Sequence, residues 1–340
     1  MMSAKKPLVI LTGPTAAGKT ALSILLAKAI GGEIISADSM QVYRHMDIGS
    51  AKVTSTEIAG IPHYLIDILE PTEEFHVVSF QTMAKDALRR IYEAEKIPIL
   101  VGGTGFYIQS VLYDIDFTET TEDEALRERL EEIAEKQGRE VLFEMLRLVD
   151  PKSCEIIHAN NVKRVIRAIE FYEKTGKPIS EHNEQQHQKE SPYQFVYFVL
   201  TDERSRLYER INKRVDNMMQ NGLLEEVQHL KNMGCTKDMV SMQGLGYKEL
   251  LEYLDQNCTL EDAVYRIKRD TRHFAKRQLT WFRKEEDVTW ISRQDFRHPA
   301  SEMAQSLTVA EEDKQILAHM LQILTEKGII PNGTTSKPNK

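Results

Sequence analysis

The chain has 340 residues, 41% hydrophobic and 28% charged, with only 17 glycines and 11 prolines. That length and composition fit about two folded domains and exclude collagen-like, linker-rich and largely disordered chains. Basic residues number 44 against 52 acidic ones, a net charge of −8, which excludes a uniformly basic nucleic-acid coat but not a local basic groove.

Over the first 115 residues short β-branched runs alternate with helical patterns, which predicts a parallel α/β sheet flanked by helices. Leu8–Leu11 reads as a buried strand. From Thr20 onward Leu22, Leu25, Leu26, Ala29 and Ile30 recur at helical spacing until Gly31-Gly32. Glu33–Ser36 is a second strand running into Asp38, and His63–Leu69 a third. Ser79–Ala94 reads as an amphipathic helix, and Pro98–Val101 as a buried strand before Gly102-Gly103-Thr104-Gly105. After Asp114 residues 122–178 are charged and helix-patterned, with Leu126, Leu130 and Ile133 on one face. Pro178–Pro192 reads as a polar loop, strand character returns in Tyr193–Thr201, and helices follow from Arg204 to about Lys284. The pattern predicts a core of residues 1–115 and 193–300, a helical insertion over 116–192, and a segment 301–340 holding a helix and, from Gly328, a loose tail.

No apolar run is long enough to span a bilayer, and no signal-peptide stretch precedes the first strand, so the expected location is the cytoplasm. Cys154, Cys235 and Cys258, odd in number and widely spaced, form neither a disulfide framework nor a zinc site.

Gly13-Pro14-Thr15-Ala16-Ala17-Gly18-Lys19-Thr20 fits the phosphate-loop pattern G-x-x-x-x-G-K-[ST], and it lies between a predicted strand and a predicted helix. Backbone N–H groups of such a loop curl around a di- or triphosphate, ATP included, at the positive end of the helix. Lys19 reaches the distal phosphate and Thr20 offers its hydroxyl to Mg²⁺. The expected fold is therefore a P-loop NTPase-like α/β core with an inserted all-helical domain.

Asp38, at the carboxyl end of a strand, reads as a holder of metal-bound water, as a general base, or as a helix cap. Asp67 is a second candidate for the metal role. The turn at Gly102–Gly105 either presents N–H groups and the Thr104 hydroxyl to a second oxyanion or is a plain tight turn. Basic residues cluster with aromatics between Arg266 and Lys284, including Lys276 and Arg277, a mixture suited to RNA. Lys163, Arg164 and Arg167 form a smaller set in the insertion, and Arg206, Arg210 and Arg214 recur every four residues on one helix face as phosphate-facing candidates.

Together these blocks resemble the bacterial tRNA dimethylallyltransferases. The resemblance runs from about Leu8 to Trp290. It rests on GPTAAGKT (13–20), SADSMQVYRHMDIGSAK (36–52), HYLIDILEP (63–71), PILVGGTGFYI (98–108), DPKSCEIIHANNVKRVIRAIE (150–170), MQGLGYKE (242–249) and TRHFAKRQLTWFRK (271–284). Enzymes of this kind transfer an isopentenyl group from dimethylallyl diphosphate to N6 of the adenine just 3′ of the anticodon, in tRNAs reading codons that begin with U.

The resemblance implies Asp38 as general base, Thr104 near the bridging oxygen of the diphosphate, Arg214 as a clamp on the diphosphate with Lys19, and Thr20 at the Mg²⁺ position. It implies tRNA contacts from Asp38-Ser39-Met40-Gln41, Thr104, Arg127 and the run Lys163-Arg164-Val165-Ile166-Arg167. A monomer working on the anticodon stem-loop is expected. Ser50, Cys154 and Asn161 depart from the family pattern at positions with no catalytic role, and the segment beyond about Ser301 has no counterpart. A small-molecule kinase would share the phosphate loop but leave the basic–aromatic stretch unexplained. A GTPase would need an N-K-x-D motif, which is absent.

Overall fold

The computed structural model describes residues 5–117, 124–187, 189–297 and 308–332. The chain divides into two compact units, residues 1–111 with 193–340, and residues 112–192.

The first unit is built on a six-stranded sheet of order β3-β2-β4-β1-β5-β6, in which every pair is parallel. Its strands are β1 (Lys6–Thr12), β2 (Gly32–Ala37), β3 (His63–Tyr64), β4 (Ile97–Gly102), β5 (Tyr193–Thr201) and β6 (Val288–Ser292). Leu8 to Leu11 of β1 are fully buried, the apolar run that a strand covered on both faces requires. Helices α1 (Lys19–Ile30), α2 (Ser55–Ile58), α3 (Val77–Glu93) and α4 (Gly105–Leu112) connect or follow the first strands. After β5 come α9 (Arg204–Gln220), α10 (Leu223–Asn232), α11 (Tyr247–Leu254) and α12 (Leu260–Phe282).

Three expectations need correction here. The third strand stops at Tyr64 because Leu65 (φ 64°) and Asp67 (φ 54°) take left-handed conformations that no strand continues through. Leu69 instead makes an isolated parallel bridge with Tyr43, outside the six strands of the sheet. Strand β6, short and half-exposed at the sheet edge, was not expected; it pairs Val288–Ser292 with Tyr197–Thr201. The C-terminal segment is no appendage: α13 (Val309–Glu326) packs on α1. Ile316, Met320 and Leu324 join the main core, and Ile329 and Ile330, in the stretch expected to be loose, are buried with them.

The second unit begins at Leu112, ahead of the expected 116. It consists of α5 (Glu124–Gln137), α6 (Arg139–Val149), α7 (Val162–Thr175) and α8 (Ile179–His187) around a core of its own that includes Leu130, Leu142, Leu146, Val165 and Ile169. Helix α8 replaces the loop expected over 178–192. Its start is tied down by Asp150, buried before α7, which accepts from Ser180 N (3.0 Å) and Ser180 Oγ (2.6 Å) as well as from Ser153. Burial alone would raise the Asp150 pKa, but these hydrogen bonds outweigh it and hold the carboxyl below its usual range. A polar sequence thus becomes helical through a cap that lies 30 residues away.

No helix among the described residues is long and apolar enough to cross a membrane.

Candidate active site

The candidate site forms where the neighbouring strands β2, β4 and β1 end, the edge at which parallel α/β sheets place ligands. Thr12 Oγ1 donates to the Gly102 carbonyl (2.7 Å), which ties the end of β1 to the end of β4. Gly102 is a necessity of close approach: a Cβ there would lie 2.0 Å from the Ala37 carbonyl oxygen. Thr104 N–H donates to that same carbonyl (3.3 Å), so the turn after β4 is seated directly on the residue before Asp38.

The phosphate loop leads into α1, whose first residue is Lys19. Lys19 Nζ donates to the carbonyls of Gly13 (2.9 Å) and Pro14 (2.8 Å). Burial first, and then the nearby Arg214 cation, depress its pKa to about 7, against the opposing pull of Asp38. Arg214 points inward from α9; burial lowers its pKa, and Asp38 and Glu57 raise it. Lys19, Arg214 and Asp38 therefore share one electrostatic environment. The Thr20 and Thr104 hydroxyls meet no hydrogen-bond partner among the described residues.

Asp38 uses one carboxylate oxygen to shape its own loop. Oδ1 accepts from Met40 N (2.8 Å) and Gln41 N (3.3 Å), while among the described residues Oδ2 receives no hydrogen bond. The helix-cap reading of Asp38 is thus wrong, because no helix begins there: Oδ1 closes a local turn, and Oδ2 is left without a hydrogen bond among the described residues. Gln41 is spent on its surroundings, through Ser36 Oγ (3.2 Å) and the carbonyls of Ser50 (3.5 Å) and Ala51 (3.4 Å). Ser39 and Met40 are half-buried. Beyond them Glu226 of α10 accepts from the backbone N–H groups of Asp47, Ile48 and Gly49 and from the Tyr247 hydroxyl (2.8 Å), which fixes the 47–49 loop.

Several expected contributors lie elsewhere. Asp67, the second candidate for the metal role, lies beyond β3 and is ion-paired with Lys52 (2.5 Å). Among the described residues no group of three or more His, Cys, Asp or Glu side chains is arranged to hold a metal. Of the three arginines on α9, Arg206 pairs with Glu203 (3.4 Å) and Arg210 with Asp202, so only Arg214 faces the site. In the basic stretch, Arg266 is bound to Glu252 (2.5 Å), Lys268 to Asp216 (2.5 Å), Arg269 to Asp270 (2.8 Å) and Arg272 to Asn212 (2.6 Å). Lys276, Arg277, Arg283 and Lys284 remain without a carboxylate partner among the described residues.

In the second unit Lys163 and Arg164 are exposed and Arg167 is half-exposed. Val165 and Ile166 are buried in that unit's core, so the helical period turns their side chains away from any RNA. Arg127 is paired with the buried Glu170 through two bonds (3.0 and 3.1 Å), which anchors α5 to α7.

Gln278 was not foreseen. Its Oε1 accepts from Thr15 N (2.9 Å) and its Nε2 donates to the Gly103 carbonyl (2.9 Å), so one buried amide clamps the phosphate loop to the turn carrying Thr104. The available signal was position: with Ala275 and Phe282 it occupies the buried face of α12, where an uncharged polar residue needs partners.

The Lys19 shift carries a pH prediction. A bound diphosphate favours the charged ammonium, so binding above pH 7 must take up a proton at Lys19, and affinity falls as pH rises through about 7. Calorimetry of inorganic diphosphate in buffers of different ionisation enthalpy measures that uptake. Lys19→Arg, which does not titrate, supplies the ligand's own contribution for subtraction.

A parallel sheet with a phosphate-loop motif after β1, a carboxylate after β2 and a largely buried arginine near both defines a P-loop α/β protein. The family model for IPP transferases matches residues 41–285. A tRNA dimethylallyltransferase from Lachnoclostridium phytofermentans is 58% identical over 325 residues, covering 96% of this chain and 99% of the relative. The full-length tRNA isopentenylpyrophosphate transferase from Bacillus halodurans superposes with a TM-score of 0.69 at 42% identity, over 96% of this chain and 99% of that one. A eukaryotic dimethylallyltransferase acting on tRNA gives a TM-score of 0.74 at 32% identity, over 84% of this chain and 74% of that one. The chain belongs to the tRNA dimethylallyltransferase family, and is thus a prenyltransferase of tRNA.

Proposed function

We propose that this chain transfers a dimethylallyl group from dimethylallyl diphosphate to N6 of the adenine immediately 3′ of the anticodon, in tRNAs reading codons that begin with U, and does so in the cytoplasm. The observation that carries the proposal is the pairing of a half-free carboxylate, Asp38, with two largely buried cations, Lys19 and Arg214, at one end of the sheet.

An exocyclic amine is a weak nucleophile. Asp38 Oδ2 accepts its proton as the N6–C1 bond forms, while the C1–O bond to diphosphate breaks. Charge then builds on the leaving oxygens. Lys19, Arg214 and the N–H groups at the start of α1 meet that charge, and in this reading the Thr104 hydroxyl donates to the bridging oxygen. No phosphoryl group moves, so the phosphate loop grips a leaving group. The Thr20 hydroxyl, which meets no hydrogen-bond partner among the described residues, would be the residue to hold a Mg²⁺. When bound, that ion neutralises the diphosphate. The target adenine has to leave its stack to reach Asp38.

RNA contact is assigned to Lys163, Arg164 and Arg167 in the second unit and to Lys276 and Arg277 on α12. The double variant Lys163→Ala with Arg167→Ala is expected to weaken stem-loop binding and to flatten the plot of log affinity against log salt by roughly 1.5. An unchanged slope in a salt titration would remove these residues from the interface. The overall reading is tested by mass spectrometry. Incubation with Mg²⁺, dimethylallyl diphosphate and an unmodified anticodon stem-loop should add one isopentenyl mass to one adenosine and release diphosphate. Phosphate transfer from ATP in a parallel reaction, with no mass gain in the first, would replace the proposal with a kinase.

A further inference from the structure

Beneath the phosphate loop lies a charged cluster that the chemistry above does not use. Arg293, just after β6, is 1% exposed. Its Nε donates to the Ala17 carbonyl (2.8 Å), and its two terminal nitrogens donate to Glu312 (2.5 Å) and Asp313 (2.6 Å) near the start of α13. Its guanidinium also fills the space behind Gly18: a Cβ there would lie 2.4 Å from Nη2, and the φ of +89° favours glycine in any case. Arg297 continues the cluster, from Glu312 (2.9 Å) to Asp202 (2.6 and 2.7 Å), and Asp202 also accepts from Arg210. Three cations face three anions, which is what burial of charge demands.

Two ends of this cluster lead into the diphosphate site. Arg293 holds the peptide immediately before the first N–H groups of α1. Arg210 lies one helical turn before Arg214 on the same face of α9. We propose that Arg293 is a positioning residue for diphosphate binding. It fixes the Ala17–Gly18 peptide so that the N–H groups at the start of α1 aim at the leaving group, and Glu312 and Asp313 hold it there. The C-terminal helix α13 is then a working part of the diphosphate site. This inference rests on the assignment of prenyl diphosphate to the loop.

The experiment is calorimetry of inorganic diphosphate with Mg²⁺ on the full chain, alongside the affinity of the unmodified stem-loop and the KM of each substrate. Arg293→Lys keeps the charge but loses the planar fork that serves three acceptors at once. It should weaken diphosphate binding and raise the KM for dimethylallyl diphosphate about tenfold, with stem-loop affinity and its KM within about twofold. Glu312→Gln, which leaves Arg293 in place but weakens its hold, should move the same quantities in the same direction, and carries the test if Arg293→Lys does not fold. Unchanged diphosphate affinity in a folded variant overturns the proposal. So does a parallel loss for both ligands, which marks a generally loosened fold. Failure of the unaltered protein to bind diphosphate overturns the assignment of the loop itself, and this inference with it.

Discussion

Asp38→Asn is expected to slow prenyl transfer by about 10²- to 10⁴-fold, the usual contribution of a general base, with stem-loop affinity nearly unchanged. The geometry makes this substitution cleaner than truncation. The asparagine side chain keeps an oxygen to accept from Met40 N and Gln41 N, so the loop after β2 survives. Its amide nitrogen then stands where Oδ2 was, and a donor replaces the acceptor proposed to take the proton. Single-turnover rates measured with saturating substrates report the chemical step directly. A variant of unaltered rate would mean that the proton leaves by another route and that Asp38 only shapes the turn after β2.

Arg214→Ala should lower kcat by about 10²- to 10³-fold, because the lost cation faces charge that is largest in the transition state. Arg214→Lys should recover only part of that loss, since a single ammonium cannot reproduce a forked guanidinium. Burial matters to the size of the effect. Both Arg214 and Lys19 are largely removed from water, where opposite charges attract more strongly than at an exposed surface. The neighbouring Arg206, exposed and paired with Glu203, provides the contrast: its replacement by Ala should leave kcat within about twofold. Steady-state kinetics on the three variants distinguishes a site arginine from a surface one. A small effect at Arg214 would show that the phosphate loop suffices for the leaving group without it.

What the sequence disclosed depended on how local each signal was. The phosphate loop, the strand before it and the helix after it are contiguous, and they stand where pattern and spacing put them. Asp38 was legible as a strand-end carboxylate, but its divided use of two oxygens depends on amides of the following turn. Arg206, Arg210 and Arg214 have one periodicity and three different surroundings, because what each meets is set by Glu203, Asp202 and the site. Gln278 and Arg293 act across 263 and 276 residues of sequence, on Thr15 and Ala17, and no local pattern encodes a partner at that distance. The same holds for α8, whose polar composition reads as loop until Asp150 is seen to cap it. Val165 and Ile166 show the reverse case. They entered the expected RNA contacts as part of a contiguous motif, although the apolar period of α7 already placed them on its inner face.

The pairing of β1 with β5 bears on how the protein comes into being on the ribosome. Lys6 sits opposite Tyr193, so the central strand of the sheet waits for one of its two neighbours until the entire second unit has been synthesised. That unit has its own core, built from helices close together in the chain, and such local contacts form quickly. Once collapsed, it shortens the effective loop that β1 and β5 have to close, because its ends are held by folded structure in place of free chain. Strand β6 and helix α13, which follow β5 in the chain, then add to the edge of the sheet and cover one face of α1. The sheet end that carries Lys19 and Asp38 is therefore completed well after its own loop motif has been translated.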